Sequence, residues 1–127
     1  MKIAISAGHS AKCRGASDIL DEFDENVRVV DQVAAELAAA GHSVVKFIDT
    51  TSTTQDTNLN RIVDWHNAQT RELDVSVHFN AYQHTSKPMG TECLYITQPE
   101  LADDVATAKK VLAELEKQGF FKATSGK

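Results

Sequence analysis

The sequence predicts an α/β fold, a mostly parallel (mixed) sheet flanked by helices in the order β-α-β-α-β-β-α. Three observations carry that prediction. Short runs of β-forming residues alternate with longer amphipathic segments. The first two strand-to-strand connections are long enough for crossover helices, whereas the last is not. Glycines stand where elements end.

Residues 3–7 (Ile3-Ala4-Ile5-Ser6-Ala7) form the first strand, stopped by Gly8, and residues 9–20 are a polar loop. A helix is expected over 21–40. Val27, Val30, Ala34 and Leu37 share one face, Asp21, Glu22, Asp24 and Glu25 load its N-terminal turns, and Gly41 ends it. Residues 43–48 read as the second strand and the Thr/Ser-rich tract 49–56 as a loop. Residues 58–70 read as a helix with Leu59, Ile62, Val63 and Trp65 inward, and 74–79 as the third strand. The stretch 80–89 has no room for a crossover helix, so residues 91–96 pair most simply as an antiparallel neighbour. A last helix spans about 99–118, with Leu101, Val105, Ala108, Val111, Leu112 and Leu115 on its inner face.

Composition narrows the function. The 127 residues fit one domain able to bury its own core. A net charge of −5 argues against nucleic-acid binding, which needs a basic face to displace counterions. No run approaches the roughly 20 apolar residues of a membrane span. Met1-Lys2-Ile3 runs straight into a strand, which reads as no signal peptide: synthesis in the cytoplasm, with action elsewhere only after release or export. Cys13 and Cys93 belong to no metal or disulfide motif and are expected as free thiols.

In such sheets ligands bind at the carboxyl ends of the strands. His9 follows the first strand, His78 ends the third, and Glu25 lies in the first turns of the helix that starts at the same edge. Two imidazoles and a carboxylate are a common zinc set in hydrolases, leaving a fourth position for water. Each residue alone has a plainer reading, as a loop histidine, an edge histidine or a dipole-favoured surface carboxylate; their shared edge favours the metal. His42 repeats the Gly-His dipeptide but precedes the second strand and so faces the opposite edge. His66 reads as a non-ligand, and His84, in the 80–89 loop, as a substrate-binding residue.

The ordered set Ile3-Ala4-Ile5-Ser6-Ala7-Gly8-His9, Gly15-Ala16, Asp24-Glu25-Asn26-Val27, Gly41-His42-Ser43-Val44, Ser76-Val77-His78-Phe79-Asn80-Ala81 and Gly90-Thr91-Glu92-Cys93-Leu94-Tyr95 resembles the zinc-dependent N-acetylmuramoyl-L-alanine amidases of type 3, a family of autolysins and phage endolysins. The resemblance implies an α/β catalytic domain over 1–127 around one zinc, with His9, Glu25 and His78 as metal ligands and Asn80 lining the substrate groove. It implies peptidoglycan as partner and cleavage of the amide between N-acetylmuramic acid and the L-alanine of the stem peptide.

The family places its general-base glutamate in a segment past the third helix. The resemblance therefore implies a C-terminally truncated domain, with Phe120 and Phe121 at an edge open to self-association. None of Glu92, Glu100, Glu114 or Glu116 matches that motif. Glu92 could approach the site if the fourth strand pairs with the third, but it reads most simply as structural, so the metal site is expected complete and the catalytic machinery incomplete. Two other readings stand beside the amidase: a zinc-bearing peptidoglycan-binding module without turnover, and another α/β zinc hydrolase such as a carboxypeptidase relative. The latter's ligands lie in a close H-x-x-E pair, a spacing not seen between His9 and Glu25.

Overall fold

The computed structural model describes residues 1–79, 90–94 and 102–119. The chain forms two compact units, residues 1–82 and 83–127.

In the first unit, β1 (Lys2–Ser10) is the central strand, flanked by β2 (Ser43–Asp49) and β3 (Leu73–Val77) in the order β2-β1-β3. Both pairings are parallel, with Ile5 opposite Lys46 on one side and Val75 on the other. β1 is longer than its pattern suggested, because Gly8 does not stop it; pairing resumes at Ser10 opposite Asp49 after an irregularity in the ladder.

Helix α1 (Glu22–Ala39) links β1 to β2, and α2 (Gln55–Asn67) links β2 to β3 across β1. Side-chain contacts place them on opposite faces of β1, as right-handed crossovers require. Ile5 and Ala7 pack with Val30 of α1, while Ser6, pointing the other way, bonds His66 of α2. β1 therefore reads as a continuous apolar run because it is covered on both sides.

Local chemistry starts each helix. Asp21 caps α1 by accepting from the Asp24 backbone N–H at 3.0 Å. Thr54 caps α2 in the same way, which starts that helix inside the Thr/Ser tract read as loop. The inner face of α2 also differs from the expected one. Leu59 and Val63 are exposed, and the buried stripe is Asn58, Ile62 and His66. Polar residues turn inward because the sheet satisfies them: His66 bonds Asp74 of β3 at 2.7 Å and Ser6 of β1 at 3.0 Å. Trp65 stacks on Phe47 of β2.

In the second unit, α3 (Ala102–Lys117) buries Ala108, whereas Val111, expected on the inner face, is exposed. Leu101, Phe120 and Phe121 lie outside the described residues. Of the expected fourth strand, Thr91 makes an isolated bridge, residues 92–94 belong to no strand, and 95–96 lie outside the described residues. Cys13 and Cys93 are free. Among the described residues no helix is long and apolar enough to cross a membrane.

Ile5 is fully buried at the centre of the sheet. Ile5→Ala should cost about 2–5 kcal/mol of stability; a shifted midpoint at unchanged slope in denaturant unfolding checks this.

Candidate metal centre

The strand order creates the site. The chain leaves β1 towards β2 on one side and later returns to β3 on the other, so a crevice opens between the carboxyl ends of β1 and β3. His9 and His78 stand at those two ends.

His9 has a left-handed backbone, with φ of 64°. Such a conformation costs a non-glycine residue on the order of 1–3 kcal/mol and persists only where the surroundings impose it. Here they do. Asn58 Nδ2 donates to the His9 carbonyl at 2.9 Å, and Asn26 Nδ2 to the Gly8 carbonyl at 3.0 Å. The Ala11 N–H donates to the Asp49 carbonyl at 3.0 Å. In an unbroken strand His9 would share the face of Ile5 and Ala7 beneath α1; the irregularity re-aims it into the crevice.

The carboxylate that meets the histidines is Glu22, the first residue of α1. Its Oε2 lies 3.2 Å from His9 Nε2 and its Oε1 3.4 Å from His78 Nδ1. The side chain is 5% exposed. Two backbone donors orient it: the Ala16 N–H reaches Oε2 at 2.9 Å and the Phe79 N–H reaches Oε1 at 3.2 Å. The helix N-terminus favours the negative charge there. The two imidazoles meet edge to face, with centroids 5.3 Å apart.

Glycine makes this crowding feasible. A Cβ on Gly8 would run into the His78 ring, and one on Gly15 would lie 2.5 Å from Glu22 Oε2 and 2.6 Å from His9 Nε2. Gly15 also has a φ of 77°, open to few other residues.

Glu25, expected as the third ligand, is not part of this cluster. Its Oε2 accepts from Arg28 Nε at 2.9 Å and Nη2 at 2.6 Å, a surface pair one turn along. The sequence holds only a faint sign of Glu22, because two of the three residues on its stripe are polar. Glu22, Asn26 and Val30 recur at i, i+4, so Glu22 continues the buried stripe to the strand end, and all three are buried. Asn80 and His84 lie outside the described residues, and Glu92 belongs to the second unit. His66 is held by Ser6 and Asp74, away from the cluster.

The donor set fits a zinc ion. One ligand atom from each of His9, Glu22 and His78 lies within 4.8 Å of the others. Zinc bonds of about 2.0–2.2 Å put tetrahedral ligand atoms roughly 3.3–3.6 Å apart; His9 Nε2 and His78 Nδ1 each lie near that spacing from the carboxylate, though from its two different oxygens, Oε2 and Oε1. Both carboxylate oxygens carry the backbone hydrogen bonds typical of a ligand oriented by its surroundings.

A helix-flanked parallel sheet with two histidines and a carboxylate at its switch point is an arrangement that α/β metal-dependent hydrolases use. Comparison narrows it. The family model for N-acetylmuramoyl-L-alanine amidases matches residues 3–126, and the chain belongs to that family. It is 37% identical over 94 residues to an uncharacterized protein of Clostridium perfringens (strain 13 / Type A), covering 72% of this chain and 27% of that protein. It is also similar to the solved catalytic domain of an endolysin targeting Clostridia difficile, at a TM-score of 0.59 and 25% identity. That match covers 65% of this chain and 49% of the endolysin chain. The chain thus spans about a quarter of the one relative and half of the other.

Beside His9 lies the buried carboxylate of Asp49. Burial alone would raise its pKa, but hydrogen bonds from Ser52, Thr51 and Asn58 outweigh this and hold it well below the usual carboxylate range. A lowered native pKa contributes stability that is complete above the unfolded value near 4 and fades as pH falls below it. In metal-free protein, Asp49→Asn should lower stability at neutral pH and flatten its decline below about pH 4. Denaturant unfolding across that range measures both effects.

Proposed function

We propose that this chain is the core of a zinc-dependent peptidoglycan hydrolase that cuts the amide between N-acetylmuramic acid and the L-alanine opening the stem peptide. The observation that carries this reading is the His9–Glu22–His78 cluster at the switch point of a chain in the N-acetylmuramoyl-L-alanine amidase family. The neighbouring endolysin catalytic domain supports peptidoglycan as the substrate.

His9, Glu22 and His78 would hold the ion, replacing the glutamate read from the sequence with the one the fold delivers. A zinc ion bound there supplies a Lewis acid for the scissile carbonyl and lowers the pKa of a coordinated water. The chain's own contribution is preorganisation. Ala16 and Phe79 fix the carboxylate through both oxygens, so neither its rotamer nor its charge position needs to adjust on binding. Gly8 and Gly15 leave the imidazoles room to sit edge to face. Proton transfer from water to the leaving nitrogen calls for a general acid–base, a group that typically contributes about 10²–10⁴-fold.

Protein purified without chelator should contain close to one zinc per chain. Glu22→Gln should weaken zinc binding by more than about 100-fold, beyond what outer-shell changes cost, and abolish release of L-alanine-led stems from purified walls. Glu25→Gln should leave zinc content intact. Metal analysis and mass spectrometry of digests check this. Full zinc in Glu22→Gln, or its loss in Glu25→Gln, would refute the ligand set, and stems of other composition would refute the bond.

A further inference from the structure

Asn58 is 2% exposed, on the face of α2 turned to the carboxyl end of β1. Its one amide nitrogen serves two acceptors, the His9 carbonyl at 2.9 Å and Asp49 Oδ2 at 3.0 Å. Both demand a donor, so the pair decides which way the amide faces. A flipped amide would set its oxygen against a carbonyl and a carboxylate together. Asp49 is itself fixed, accepting from the Thr51 N–H at 2.9 Å and the Ser52 N–H at 3.1 Å. The neighbouring Ser10 hydroxyl is tied to the Ser52 carbonyl. A rigid buried anchor therefore ends at the carbonyl of the one residue among those described whose non-glycine backbone is left-handed.

We propose that Asn58, oriented by Asp49, is a positioning residue for the metal centre: it holds the His9 turn that aims the imidazole at Glu22. The inference rests on the zinc reading above. Asn58 touches neither histidine ring nor carboxylate of the cluster in any bond described, and acts through the His9 backbone alone. Without its donor the half-buried His9 carbonyl loses the side-chain bond that holds its turn, and relaxation of φ out of the left-handed region swings the ring off the Glu22 edge.

The test measures zinc affinity of the whole chain by competition with a chromophoric chelator, with the visible spectrum of the cobalt form as a second readout. Asn58→Ala should weaken zinc by about 10–100-fold, the range for groups that orient a ligand, and alter the cobalt spectrum. In a His9→Gly background, where there is no ring to aim, the same substitution should change zinc affinity by no more than about twofold, the scatter of uncoupled sites. Should Asn58→Ala fail to fold, the paired exchange Asp49→Asn with Asn58→Asp keeps volume and a mutual hydrogen bond but faces the His9 carbonyl with an acceptor. It should weaken zinc by a similar factor. Unchanged affinity in the foldable variant, or equal losses with and without the His9 ring, would overturn the assignment. If the wild-type chain takes up no zinc at all, the metal reading falls and this one with it. Zinc-binding wild type with insensitive variants overturns the positioning role alone.

Discussion

The left-handed backbone of His9 is the constraint on which the centre depends. Regular β geometry would send the ninth residue under α1 with Ile5 and Ala7, where an imidazole has no partner. The chain instead breaks the ladder after Ser6, resumes it at Ser10, and holds the intervening carbonyls with two buried amides from different helices, Asn26 of α1 and Asn58 of α2. Each amide forms its bond only when its helix is docked. The conformation of His9 is thus a readout of the assembled α/β/α layers.

The second histidine is placed more simply. His78 is the first residue past β3, and its ring settles over Gly8 of β1, where the missing side chain leaves space. Glu22 joins the two ends. Its carboxylate accepts from the residue after His78 and from the loop after His9, so β3, the 10–21 loop and α1 are tied through one buried side chain. Arg14 reinforces that loop by bonding Asp21, the cap of the helix that Glu22 begins. Removing a charge so placed leaves two backbone donors without acceptors, which costs more than the hydrogen bonds themselves are worth.

On the far side of the sheet, polar groups do work usually left to apolar ones. His66 bridges Ser6 and Asp74, and Arg71 completes the Asp74 carboxylate at 3.0 Å. This chain resembles a hydrolytic triad in connectivity, yet Ser6 is wholly buried within β1 and no substrate atom could reach it. It fixes the register of α2 on the sheet, and with it the height at which Asn58 meets the His9 carbonyl.

By itself the sequence determined the alternation of strands and helices, the parallel pairing that long connections impose, and the edge at which His9 and His78 stand. These follow from periodicity and chain length, which are local properties. It also carried the ordered motifs that the family match then covered from residue 3 to 126. Only the tertiary structure decided which carboxylate completes the cluster. Glu22 and Glu25 are both acidic residues in the first turn of one helix, and local pattern treats them nearly alike. What separates them is a hydrogen bond from the Phe79 N–H, 57 residues from Glu22, while Glu25 pairs with Arg28 of its own helix. The inward turn of Asn58 and His66 was hidden for the same reason. A hydrophobic pattern ranks side chains by their cost of leaving water, and that cost changes sign only when folding supplies the buried partners.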